Sequence, residues 1–234
     1  MQRPQIPVDE AKRLAALYAT ELYGTAPEEA FDRITRLATR LLGVPSALIS
    51  LVGSDAQWFK SRCGFAAQTT SRDISFCGHA ILTDQPLVVE DATRDERFFD
   101  NPIVTGEPHI RFYAGVQLYS VERARLGTLC VLDTRPRTLG AEELEELYEL
   151  ARMAEELIYH RQLARAAQEL HEQLLHNAAC APASAATAAA AGQVKYLLTP
   201  PPSPAWPTAR PCCAASPTAS RSGRPKARAR WSPA

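Results

Sequence analysis

The sequence has no apolar run of the ~18–20 residues that a membrane span needs, and its opening, MQRPQIPVDEAKR, has no signal-peptide core. These absences predict a cytoplasmic protein with no membrane partner. Catalytic signatures are missing too. There is no Ser–His–Asp grouping, no metal-spaced His/Cys cluster and no Gly-rich phosphate loop. The expectation is a chain that is no enzyme and holds no metal. Cysteine occurs six times, at Cys63, Cys77, Cys130, Cys180, Cys212 and Cys213. That spacing fits neither a zinc ribbon nor a secreted disulfide framework, which predicts reduced thiols. Acidic residues stop altogether after Glu172, whereas seven of the 26 Lys and Arg residues lie beyond it. The body therefore carries 26 acidic against 19 basic side chains. An acidic body argues against non-specific nucleic-acid binding.

What is present reads as helices at both ends and strands between. Leu14, Leu17, Tyr18 and Leu22 share one face of a helix over 8–23, closed by Gly24. Thr25 as cap, Pro27 early and Glu28 and Glu29 in the first turn start a second helix. Gly43 and Pro45 end it. Residues 47–52 and 57–63 form a hairpin across Gly53, Ser54 and Asp55. A loop rich in Thr, Ser and Arg leads to a short helix carrying Ala80, Ile81 and Leu82. Residues 86–90, 112–120 and 125–133 are further strands, and 91–105 is irregular apart from a turn near Asp95. A long helix runs from 141 to about 177, ~55 Å at 1.5 Å per residue. This order predicts an α+β fold with an antiparallel sheet of five to six strands.

The long helix carries two short heptad-like seams. Leu147, Leu150, Ala154 and Leu157 form the first, Leu163, Ala167, Leu170 and Leu174 the second, and Arg161 marks the slip between them. They predict a parallel homodimer. An amphipathic helix folded onto its own domain has the same pattern. From about Cys180 the composition changes: ten of the 18 prolines lie in 181–234, with many Ala and Ser. Such a segment buries too little to offset its ordering entropy and is expected to be disordered.

Four blocks occur in order: SFCGHAIL at 75–82, PLVVEDATRDERFFDNPIV at 86–104, GEPHIRFYAGVQL at 106–118 and LGTLCVLD at 126–133. With the preceding helix and hairpin they resemble the GAF domain family, in its bacterial signalling subset, over about 27–160. The resemblance implies a profilin-like fold with a ligand-sized pocket on one side of the sheet, an unidentified small-molecule ligand, and dimers held by terminal helices. The expected organisation is an N-terminal helix (1–24), a GAF domain (25–160), a signalling helix (161–178) and a tail (179–234). Bilin-binding members carry a Cys, usually followed by His, after the third strand. The segment 91–103 has neither, so no covalent bilin and no other cofactor is expected.

The resemblance places such modules ahead of signalling output domains, and the tail supports a further expectation about that domain. Residues 203–220, SPAWPTARPCCAASPTAS, shifted by one base with allowed codons, read LTGLANRQALLRRIADRL, which resembles the start of a GGDEF diguanylate cyclase domain. The codons of Trp206 and Cys212 force an Ala and a Leu in that frame. The tail is accordingly expected to be a frameshifted remnant of such a domain. A genuine basic, Pro-rich tail for an acidic partner is the other reading.

Pocket candidates are Trp58, Cys77, His79, Asp91, Phe98, Arg111, Phe112 and Tyr113. Cys77 and His79 sit at a loop-to-helix junction. They are either a thiol site, the basis of an alternative redox-sensor or redox-enzyme reading, or a buried small residue with a capping group. Arg111 is placed to pair with a ligand anion or with Asp91. Phe98 and Phe112 line a cavity or fill the core, and the same choice holds for Trp58. Cys63 and Cys130 read as small packing residues.

Overall fold

The computed structural model of the chain describes residues 1–180. Its sheet is built around β1 (Ser46–Val52), every residue of which is buried. A strand covered on both faces needs apolar side chains on both, and the run SALISLV supplies them. The neighbours of β1 are β2 (Ala56–Cys63), across a tight turn, and β6 (Arg125–Asp133), both antiparallel. Beyond β6 lies β5 (Phe112–Tyr119). The edges are β4 (Leu87–Val89) and β3 (Thr69–Ser71), which gives the order β3-β2-β1-β6-β5-β4. The fold is the expected α+β type with a six-stranded antiparallel sheet. The strand β3 falls where the sequence reads as loop. Three hydroxyl residues carry no apolar alternation, yet they suit a sheet edge.

One face of the sheet is covered by α1 (Glu10–Ala19), α2 (Glu29–Leu41) and the first part of α5 (Ala141–Cys180). Leu17, Phe31, Ile34, Leu147, Leu150 and Ala154 meet Ile49, Val116 and Leu129 in one core there. The other face carries α3 (Phe76–Ala80) and α4 (Pro102–Thr105) with the turns around them. A second core on that side includes Leu48, Phe59, Phe98, Tyr113 and Leu132.

Two helix starts differ from the sequence expectation. The helix α2 is preceded by Glu28 in extended geometry (φ −130°, ψ 130°), and Thr25 is not its cap. The Thr25 hydroxyl instead donates to the Leu22 carbonyl (2.7 Å) and accepts from Lys60 Nζ (2.8 Å). Lys60 is there because β2 bulges: Ile49 pairs with Ser61 while Ser50 pairs with Phe59, leaving Lys60 extra. The helix α3 begins before residues 80–82. Ser75 caps it, accepting from the Gly78 N–H at 2.8 Å.

The helix α5 divides the two expected seams. Leu147, Leu150 and Ala154 are buried in their own chain's core, and Leu157 packs at its margin. The first seam is thus taken by the sheet, because the sheet offers the apolar surface that a partner helix would otherwise provide. Of the second seam, Leu163 is 51% exposed and Leu174 41%. Arg161, at the slip, pairs with Glu28, and Arg165 pairs with Glu21. Among the described residues no helix is long and apolar enough to cross a membrane. The expectations of a disordered or frameshifted tail concern residues outside those described.

Candidate functional site

The face of the sheet under α3 carries Cys77, Phe98 and Tyr113, three of the residues expected at the pocket that the resemblance implies. Its upper layer is aromatic. The ring of Phe76 stacks on Phe98 at 3.9 Å between centroids and 14° between planes, and on Tyr113 at 5.1 Å. His79 meets Phe98 edge-on at 4.9 Å, and the Arg97 guanidinium lies 5.1 Å from the centre of the same ring. These rings, with Ile81, Val89, Ala92 and Val104, fill the space between α3 and the strands.

Beneath the rings lies a buried polar layer. Ser50, Gln57, Ser75, Gln117 and Thr128 are all buried. Gln57 organises one end: its Oε1 accepts from Ser50 (3.1 Å) and Ser75 (2.6 Å), and its Nε2 donates to Thr70 (2.6 Å). Gln117 organises the other, donating to the carbonyls of Ala80 (2.8 Å) and Gln85 (2.6 Å). Between them the Cys77 and Cys130 sulfurs stand 3.8 Å apart. The Tyr113 hydroxyl donates to Cys77 Sγ at 3.5 Å and lies 3.5 Å from Thr128 Oγ1. Tyr113 reaches this point because Gly115, two residues on and on the same face, leaves room. A Cβ at Gly115 would fall 2.2 Å from the Tyr113 hydroxyl.

Burial pushes both thiols up. Around Cys77 the hydrogen-bonding side chains of Cys130, Ser50, Thr128 and Tyr113 outweigh burial and hold its thiol down, to about 6. Cys130, deeper in the sheet and facing the Cys77 charge, stays well above the ordinary thiol value. Tyr113 is likewise raised, by burial first and then by the two sulfurs. Burial lowers His79, and the Gln2 carbonyl 3.0 Å from its Nε2 pulls the other way.

The eight pocket candidates separate on inspection. Cys77, Phe98 and Tyr113 come together in this face, and His79 sits at its margin. Phe112 does not belong: it points into the helix-side core, because adjacent strand residues face opposite ways. Trp58 is likewise on the helix side, 6.4 Å from the Tyr23 ring. Asp91 and Arg111 do not form the expected ion pair. Asp91 Oδ1 accepts from the Thr93 N–H (3.0 Å) and hydroxyl (2.6 Å), which lowers its pKa, while Arg111 donates to the carbonyls of Val104 (2.7 Å) and Ile110 (3.1 Å). Local partners reach each side chain first, donors of Thr93 at Asp91 and backbone carbonyls at Arg111. Cys130, Ser50, Gln57, Ser75, Gln117 and Thr128 were not legible as site residues one at a time. Their shared signal is an uncharged polar side chain set in or beside an otherwise apolar strand. Among the described residues no cluster of three or more His, Cys, Asp or Glu side chains could hold a metal ion.

A six-stranded antiparallel sheet thus lies between a helical layer and a looser layer of short helices. Residues 26–158 match the GAF domain family, and the chain belongs to it. It is 42% identical over 154 residues to a cyclic di-GMP phosphodiesterase of Pseudomonas aeruginosa. That match covers 65% of this chain but 26% of the relative's length. Among solved structures it is similar to the GAF domain of an Acinetobacter phosphoenolpyruvate-protein phosphotransferase, at 17% identity and a TM-score of 0.47, covering 68% of this chain and 98% of that one. It is also similar to a free methionine-R-sulfoxide reductase of Neisseria meningitidis, at 16% identity and a TM-score of 0.47, covering 69% and 96%.

Proposed function

We infer that this chain is a non-catalytic sensory module that relays a change in packing under α3 to its C-terminal helix, as a homodimer. The observation that carries the reading is the division of α5. Its first half is built into the helix-side core through Leu147, Leu150, Ala154 and Ile158. Its second half continues with Leu163, Leu174 and Leu175 exposed at 51, 41 and 58%. The junction is fastened by Arg161 to Glu28 and Arg165 to Glu21. A helix whose base is core and whose apolar stripe is uncovered suits pairing with a second copy.

The relative from Pseudomonas supports a role in cyclic di-GMP signalling. The tail's second-frame resemblance to a GGDEF domain supports a diguanylate cyclase as the parent protein. In this reading, turnover of the nucleotide belongs to an output domain and not to the residues described. A small-molecule signal would act by parting the Phe76–Phe98 stack, since those rings fill the site. Sedimentation of the full chain at tens of micromolar tests the proposal. A dimer is expected, and replacing Leu163 and Leu174 together by Glu should give a monomer with an unchanged fold. A wild-type monomer at that concentration sinks it.

A further inference from the structure

Cys77 and Cys130 come from elements far apart in sequence, α3 and β6, and both are buried. Their sulfurs stand 3.8 Å apart. A disulfide needs ~2.05 Å, so a small approach separates the reduced pair from a bond. The two sides are unequally free to make it. Cys130 lies in the middle of the sheet, opposite Leu48 on one side and Gly115 on the other. Cys77 rides on a five-residue helix held by the Ser75 cap. Closure therefore moves α3 and leaves the strands in place.

The surroundings are not those of a thiol used as filler. An inert buried cysteine has apolar neighbours alone, whereas the Cys77 sulfur accepts from the Tyr113 hydroxyl at 3.5 Å and meets the Cys130 thiol at 3.8 Å. The outer side of α3 is covered by residues 2–4. Pro4 lies against Gly78, where a Cβ would fall 2.8 Å from its ring, and the Gln2 N–H donates to the Arg97 carbonyl at 3.1 Å. Met1 also pairs with Asp100 and Arg3 with Asp73, so this cover must lift before a small oxidant reaches α3.

We propose that Cys77 and Cys130 are a thiol–disulfide switch, closed by a hydroperoxide, that draws α3 onto the sheet. The Cys77 thiolate attacks one peroxide oxygen, the O–O bond breaks, and the leaving oxygen departs as water or an alcohol after taking up a proton. Cys77 is then a sulfenic acid. The Cys130 sulfur attacks the Cys77 sulfur; the S–S bond forms, the S–O bond breaks, and the hydroxyl leaves as water with the Cys130 proton. Two thiols have lost two electrons and the peroxide bond has gained them. Because Phe76 is the neighbour of Cys77, the movement reaches the Phe76–Phe98–Tyr113 stack. The switch supplies an input to the proposed relay and rests on that reading for its output alone.

The test uses the reduced full-length chain treated with hydrogen peroxide, then alkylated in denaturant and digested without reductant for mass spectrometry. The expected product is a Cys77–Cys130 cross-linked peptide that dithiothreitol removes. It is read in the unmutated chain, so it does not depend on a variant folding. Cys77→Ser and Cys130→Ser should each abolish it. Amide exchange should slow in α3 and change around Phe98 on oxidation. Recovery of Cys77 and Cys130 as free thiols while the more exposed Cys63 is oxidised overturns the proposal. So does linkage of Cys77 to any other cysteine, or a cross-link that leaves exchange in α3 unchanged. If the cross-link forms but the chain sediments as a monomer in both redox states, the relay reading fails and the switch stands.

Discussion

Lys60 has the burial of a core residue, at 1% exposure, and the chemistry of a surface one. Its ammonium donates to Thr25 Oγ1 (2.8 Å), the Ala26 carbonyl (2.6 Å) and Glu28 Oε1 (2.7 Å), so all three protons have acceptors. Removing one partner of a buried pair costs ~3–5 kcal/mol. Lys60→Ala should fall near the lower end, since Glu28 keeps Arg161 and is partly open to water. Lys60→Met, which keeps an unbranched apolar chain in the buried position although it loses the ammonium over the Phe31 ring, should cost less; urea unfolding of both variants checks the order. A second carboxylate is shared by two arginines. Burial alone would raise Glu10, but hydrogen bonds and charge from Arg13 and Arg72 hold it at about 2 against an ordinary 4.5. A depressed acid stabilises the fold fully above its unfolded value and loses that contribution as pH falls through its folded one. Glu10→Gln should therefore flatten the loss of stability between pH 4.5 and about 2. Urea midpoints taken across that interval read the slope, and an unaltered slope would refute the assignment.

Among the elements, those with long patterns were legible and those set by a neighbour were not. The 3.6-residue spacing of Phe31, Ile34 and Ala38 and the apolar runs of β1, β5 and β6 gave the helix and the central strands directly. The start of α2 was not readable, because Thr25 is diverted to a lysine that reaches it through a bulge on another strand. Nor was β3, whose three residues pair with β2 and carry no pattern of their own. At the site, Phe112 and Tyr113 could not both face a pocket under strand alternation, and that much was available from the sequence. The meeting of Cys77 with Cys130 was not, since it depends on how α3 lands on the sheet. The two halves of α5 give a crossed prediction. Leu150→Ala opens space in a filled core and should cost ~2–5 kcal/mol without changing the association state. The Leu163→Glu, Leu174→Glu pair should do the reverse. Unfolding curves and sedimentation on both variants decide it, and equal effects would argue that α5 is one uniform element.

Across the whole described domain, the sheet is a partition shared by two cores. Its central strands are buried on both sides, whereas β3 and β4 are partly open edges. Amide exchange should reflect this: protons of β1 and β6 should leave only by global unfolding, and those of β3 sooner. Comparable protection in β3 and β1 would contradict the two-sided description. The sharing also means that a shift under α3 is felt by strands on which α5 is seated. What the overhang of α5 adds is leverage. From Ile158 to Asn177 the helix runs ~29 Å at 1.5 Å per residue. A tilt of about 5° at its seat would sweep the far end through roughly 2.5 Å over that length, about half a helical turn of travel. In the proposed dimer, a rearrangement too small to open a cavity under α3 would thus be large enough, at the end of the arm, to change which side chains the two helices present to each other.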